Sequence, residues 1–162
     1  VGSLTHYVFK SIWSVEAPFD DVCAVLADVM TYSSWWPEIR TVTPLGDGRY
    51  EMVARSLLPY ELRFVSEEDR AAASPGVIPA RLSGDLEGFA RFTVEKDGSG
   101  CRIVYDQEVD THKLLLNVTA PIARPAFRAN HGLMMRHGQA GLRTFVAGYR
   151  LGAARRDSET AV

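Results

Sequence analysis

Hydrophobic positions along this chain change their period several times. From Thr5 to Val15 they alternate, with Tyr7, Phe9, Ser11, Trp13 and Val15 on one side and His6, Val8, Lys10, Ile12 and Ser14 on the other. Such alternation predicts a strand. Ala17-Pro18-Phe19-Asp20-Asp21 opens a helix, with Pro in the first turn and acids where the helix dipole favours them. Val22, Val25, Leu26 and Val29 form its buried stripe. Thr31-Tyr32-Ser33-Ser34 starts a second short helix, and Trp35-Trp36-Pro37 ends it. From Arg40 onward the alternation returns. Turns at Gly46-Asp47-Gly48, Leu58-Pro59, Ser74-Pro75-Gly76, Gly84 to Gly88 and Asp97-Gly98-Ser99-Gly100 separate the strands. The strands read as Tyr50–Ser56, Tyr60–Arg70, Val77–Ser83, Phe89–Lys96 and Cys101–Thr111, with Lys113 to Val118 as a connector.

The last periodic segment, Thr119 to Arg150, has the helical period over about eight turns. Phe127, His131, Met134, Gly138, Leu142, Phe145 and Tyr149 share one stripe, and Arg136, Arg143 and Arg150 the opposite ridge. Pro125 removes a backbone donor and is expected to kink or delay the helix. Residues 151–162 are small and polar and are expected to fray. Strands joined by tight turns are antiparallel neighbours. The pattern therefore predicts one α+β domain over residues 3–150: a curved antiparallel sheet of about seven strands around a long C-terminal helix, with two short helices after the first strand.

Strand parity predicts what lies between sheet and helix. Met52, Ala54 and Ser56 oppose Glu51 and Arg55. Tyr60, Leu62, Phe64 and Ser66 oppose Glu61, Arg63 and Glu67. Ile78, Ala80 and Leu82 oppose Arg81; Ala90, Phe92 and Val94 oppose Arg91 and Glu95. Ile103, Tyr105, Gln107 and Val109 oppose Arg102, Asp106, Glu108 and Asp110. Nearly all charges fall on one side, which must face water, because an unpaired buried charge costs several kcal/mol. The concave side is then an apolar cavity with hydroxyls and one amide. Carboxylate-pair chemistry and phosphate binding have no place in it, unless a bulge turns Arg55 or Arg91 inward.

Composition adds little. The 162 residues are 46% hydrophobic and 23% charged, with net charge −2, which gives no footprint for nucleic acid. No apolar run approaches the roughly 18 residues of a membrane span. Val1-Gly2-Ser3 has neither an initiator Met nor a signal-type apolar core, and a cytoplasmic location is the default expectation. Cys23 and Cys101 have no CxxC partners and read as packed thiols. His6, His112, His131 and His137 lack metal-ligand spacing, and no cofactor motif is present, so neither a metal nor a cofactor is expected.

The candidate ligand-binding residues are Trp13, Trp36, Met52, Ser56, Tyr60, Leu62, Phe64, Leu82, Phe92, Tyr105, Gln107, Asn130, His131 and Met134. The expected partner is a small hydrophobic molecule. His131, flanked by Asn130 on the apolar stripe, is either a polar handle for a ligand or a core histidine satisfied by a carbonyl or by a hydroxyl such as Tyr105. If chemistry occurs, His131 and Tyr105 are the candidate catalytic pair. One of Trp35 and Trp36 is expected at the cavity and the other as a plug under the helix. Met135 reads as helix core. Gly138 and Gly141 either add volume or admit an aromatic ring.

Several strings resemble a known superfamily. Val15-x-Ala17-Pro18-x-Asp20-x-Val22-x-x-x-Leu26-x-Asp28, followed by Tyr32-x-x-Trp35-Trp36-Pro37, resembles the N-terminal third of START-like (SRPBCC) proteins. Gly98-x-Gly100-Cys101-Arg102-Ile103-x-Tyr105 is similar to their penultimate strand entry. Arg128-x-Asn130-His131-x-x-Met134-Met135-Arg136-x-Gly138-x-x-Gly141-Leu142 resembles the closing helix of a bacterial polyketide cyclase/dehydrase-like branch. The resemblance spans residues 5–149 and implies the helix-grip fold over a hydrophobic cavity. Fold alone does not choose a function. The charge-free concave face favours a carrier of a polyketide, quinone or lipid-like molecule; the resemblance adds a cyclase/aromatase or dehydratase; and the charged outer face of the sheet or an exposed Trp35 would suit a protein-interaction module.

Overall fold

The computed structural model describes residues 6–111 and 120–160, with side chains of the last segment described at 124–150 and 156–160. Ten residues of alternating burial form β1 (His6–Val15). Then come α1 (Phe19–Ala27), a 3-10 turn (Val29–Thr31) and α2 (Tyr32–Trp35). Six strands follow: β2 (Ile39–Gly46), β3 (Arg49–Ala54), β4 (Leu62–Glu68), β5 (Val77–Gly84), β6 (Leu86–Asp97) and β7 (Gly100–Thr111). The chain closes with α3 (Ala120–Thr160). All seven strands form one antiparallel sheet in the order β1-β7-β6-β5-β4-β3-β2. This is the helix-grip arrangement. The connector expected at Lys113 to Val118 lies outside the described residues.

Cross-strand register brings the inward residues into rows. Phe9 faces Gln107, Gln107 faces Ala90, and Ala90 faces Ala80. The next row runs Ser11, Tyr105, Phe92, Ile78. Because parity is preserved, the charges meet on the outer face instead. Glu67 and Arg81, Glu95 and Arg102, and Arg91 and Asp106 are direct neighbours across strands and pair at 3.2–3.3 Å. Exposed pairs of this kind contribute at most about 1 kcal/mol each, so they set the register more than the stability. The register shifts fall on β2, between Ile39 and Thr41 and between Pro44 and Gly46, and leave the other strands in phase.

Several boundaries differ from the sequence expectation. β3 stops at Ala54 and β4 runs only from Leu62 to Glu68, so Ser56 and Tyr60 stand in the 55–61 loop and not on strands. Gly84 to Gly88 is not a loop: β6 begins at Leu86, and Gly88 pairs with Leu82 and Val109. α3 runs continuously past Pro125, which sits in its second turn and removes a single intrahelical bond. Nor does the helix end near Arg150. It reaches Thr160 through Ala153, Ala154, Arg155 and Arg156, all good helix formers, and the Thr160 hydroxyl donates to the Arg156 carbonyl at 2.8 Å.

Burial on α3 follows Phe127, His131, Met135, Gly138, Leu142 and Val146, while Tyr149 is 40% exposed. Gly138 and Gly141 are contact points rather than sources of volume. A Cβ on Gly138 would lie 2.8 Å from Trp36 Cε2 and 3.0 Å from Trp13 Cη2, and one on Gly141 would lie 1.7 Å from the Trp35 carbonyl oxygen. Here the helix backbone rests directly on the Trp35-Trp36 corner. The Trp36 indole N–H fixes the contact by donating to the Met134 carbonyl at 2.9 Å. On the other side of the corner, the buried Glu38 carboxylate accepts from His137 Nδ1.

Candidate functional site: a cavity under the long helix

Between α3 and the concave face lies a cavity of about 330 Å³. β3 to β7 supply its floor, α1 and α2 one end, and the 55–61 loop with Asn130 of α3 the other. Thirteen of the fourteen candidate ligand-binding residues line it: Trp36, Met52, Ser56, Tyr60, Leu62, Phe64, Leu82, Phe92, Tyr105, Gln107, Asn130, His131 and Met134. Trp13 does not. It is 2% exposed and packed edge-on to Trp36 and against Phe92, beneath Gly138. Alternation along β1 tells which face a side chain takes; it does not tell whether α3 has already covered it.

The two indoles of the corner divide as expected. Trp36 lines the cavity, while Trp35 is the plug under Gly141. Both Met134 and Met135 reach the lining. The lining also includes residues outside the candidate ligand-binding set: Tyr32, and Ile78, Ala80, Ala90 and Phe127, which parity and the helix stripe place inward. For Ala80 and Ala90 a signal was present. They are small residues of inward parity directly opposite each other, and small side chains facing across a sheet leave room above them.

The charged side chains of the described lining are Arg55 and Glu68. Arg55 stands at the rim, its side chain 52% exposed and 4.0 Å from Glu61. Glu68 pairs with Arg70. Arg91 stays on the outer face with Asp106. Deeper in the cavity the polar groups are uncharged, and three of them are connected. Tyr105 Oη donates to Gln107 Oε1 at 2.8 Å, and His131 Nε2 donates to the same oxygen at 3.0 Å. The imidazole lies flat on Phe9, with ring centres 3.7 Å apart. His131 thus joins both readings made of it: it is a satisfied core histidine, and it forms part of the cavity wall. A second hydroxyl, Tyr60 Oη, is buried with no hydrogen-bond partner among the described residues.

Burial determines the protonation states. It lowers the His131 pKa from 6.5 to about 4, so the imidazole is neutral at neutral pH. Burial raises Tyr105, and it pushes Tyr60 up to about 12, so both hydroxyls keep their protons. The His131 shift has a sign that can be tested. Between pH 6.5 and about 4 the unfolded chain takes a proton that the folded chain refuses. Stability is therefore complete above pH 6.5 and falls as the pH drops toward 4, by about 2–3 kcal/mol from this group. Urea unfolding across that range should show the loss in the wild type and a smaller one in His131→Gln, which keeps a donor for Gln107 and removes the titration.

A curved antiparallel sheet gripping a long C-terminal helix over an uncharged cavity defines the START-like class. Within it, the chain belongs to the family described as polyketide cyclase/dehydrase and lipid transport, whose model matches residues 10–146. Similar solved structures include a START superfamily protein from Mycobacterium smegmatis, with 17% identity, covering 88% of this chain and 98% of that one, at a TM-score of 0.71. The Zhui aromatase/cyclase from Streptomyces sp. R1128 has 17% identity, covers 88% and 94%, and superposes at 0.70. A conserved protein from Geobacillus kaustophilus has 10% identity, covers 88% and 96%, and superposes at 0.69. At these identities the likeness is one of fold. No curated protein matches the sequence. Among the described residues, no helix is long and apolar enough to cross a membrane.

Proposed function

We propose that this protein binds a small hydrophobic molecule in the cavity under α3 and acts as its carrier. The observation behind this reading is the cavity itself: about 330 Å³, floored by aliphatic and aromatic side chains, with its charges confined to the rim. A well-packed core leaves few voids larger than a water molecule. An engineered apolar void of about 150 Å³ already takes up benzene. Twice that volume suits a fused aromatic or a medium acyl chain, and the ligand classes considered are polyketides, quinones and lipid-like molecules. The family description, which includes lipid transport, supports the same reading.

The test is thermal unfolding and native mass spectrometry against a panel of these classes. A ligand at about one hundred times its Kd adds roughly 2.7 kcal/mol, which in a chain of this size raises Tm by about 5–10 °C. A panel without a shift or a retained mass rejects the carrier reading.

A second reading, cyclisation or dehydration of a poly-β-ketone, has the aromatase/cyclase neighbour and the Tyr105–Gln107–His131 connection in its favour. In that reading His131 is the acid/base and Tyr60 or Tyr105 orients an enol oxygen. Product formation that survives both His131→Ala and Tyr105→Phe excludes it.

A further inference from the structure

The three connected polar groups in the cavity constrain one another. The Tyr105 hydroxyl is buried, and its proton goes to Gln107 Oε1. Turning the Gln107 amide over would put an NH2 against that hydroxyl and leave the proton without an acceptor, which costs about 1–3 kcal/mol in a buried site. The oxygen of Gln107 is therefore committed to Tyr105 and His131 together. Its NH2 is the end left for the cavity, and Gln107 is a lining residue.

The register keeps this NH2 uncovered. The neighbours of Gln107 across the sheet on the cavity side are Ala90 and then Ala80, whose methyls cannot reach over it. On the other side Phe9, under the His131 ring, walls it off. A donor fixed from behind in an apolar cavity is a site for an acceptor. The acceptor must be uncharged, because the described lining brings no cation closer than Arg55 at the rim, and a carboxylate would be desolvated without a counter-charge.

Building on the carrier reading above, we infer that the Gln107 carboxamide is a carbonyl-binding subsite, and that the ligand is an apolar molecule with an uncharged carbonyl oxygen, such as a ketone, quinone or ester, and not a free carboxylic acid. Tyr60 Oη, the buried hydroxyl without a partner among the described residues, offers a second polar contact to a ligand with two oxygens.

The experiment uses three probes of one shape, measured by isothermal titration calorimetry at neutral pH: 2-acetylnaphthalene, 2-ethylnaphthalene and 2-naphthoate. The ketone is expected to bind about tenfold more tightly than the hydrocarbon, and the anion more weakly than either. Gln107→Glu keeps an acceptor for Tyr105 and His131 but replaces the NH2 with oxygen. It is expected to erase the tenfold preference while the hydrocarbon still binds. Should that variant unfold, Gln107→Leu combined with Tyr105→Phe and His131→Leu removes the acceptor together with both of its donors and is expected to give the same levelling. Equal binding of ketone and hydrocarbon to the wild type, or a preference that survives both variants, overturns the subsite and leaves the carrier reading intact. Tightest binding of 2-naphthoate also overturns it. Failure of all three probes, and of medium-chain esters, overturns the carrier reading together with the subsite.

Discussion

Gly141→Ala is expected to destabilise the protein by about 3 kcal/mol, and to lower Tm by about 10 °C in a thermal scan. The added Cβ would lie 1.7 Å from the Trp35 carbonyl oxygen and 2.8 Å from its carbon. Both are backbone atoms, held on one side by α2 and on the other by the first residues of β2, so no rotamer change relieves the overlap. Either α3 lifts from the corner or the corner moves. Lifting the helix would also strain the Trp36 bond to the Met134 carbonyl and the Glu38–His137 contact. The control is Gly132→Ala in the same helix. That glycine is exposed, with nothing within 4 Å of its would-be Cβ, so the better helix propensity of alanine should raise stability by up to about 1 kcal/mol. Equal effects at the two positions would mean that the corner does not seat the helix.

The corner also shows where reading the chain in one dimension stops. Trp35-Trp36-Pro37 and the inward glycines could be recognised as partners, and the choice between added volume and close contact could not. It depends on the distance between two elements about a hundred residues apart, and a hydrophobic period carries no distance. Trp13 lies outside the cavity lining for the same reason. Its face was correct, but Gly138 lets α3 come close enough to cover it. Glu38 was invisible. A carboxylate after Trp-Pro looks like a surface residue, and only its meeting with His137 makes burial tolerable. The helix end misled because Ala153 to Arg156 lack an apolar stripe, although their propensity alone sustains a helix.

The cavity wall was more legible, because strand parity is a strict rule once turns are located. Met52 opposite Phe64, and Phe92 opposite Tyr105, follow from alternation and hairpin order. Outward charges placed the solvent side without ambiguity. The polar centre needed more. Tyr105 and Gln107 share a face at i, i+2, and His131 lies on the inward stripe of α3. That all three meet at one oxygen requires the register of β1 on β7 and the seating of α3 over Phe9. The sequence suggested Tyr105 itself as the partner of His131; the structure puts the Gln107 amide between them.

Ala90→Phe is expected to reduce ligand affinity by about 100-fold or more while leaving the fold intact. Ala90 faces Ala80 on one side and Gln107 on the other, on the cavity floor. A benzyl group there occupies the space over both alanines and covers the Gln107 NH2, so it removes room for the apolar body and access to the donor at once. A 100-fold loss corresponds to about 2.7 kcal/mol, which is modest beside the apolar contact a displaced ring forfeits. Filling a void commonly stabilises a protein by about 0.5–2 kcal/mol, so Tm without ligand should hold or rise. That opposition separates this variant from a merely disruptive one: affinity falls while stability does not. Calorimetry with the tightest-binding hydrophobic probe and a thermal scan of the free protein provide the two readouts. Unchanged affinity in a folded Ala90→Phe would place the ligand elsewhere and remove the cavity from the function.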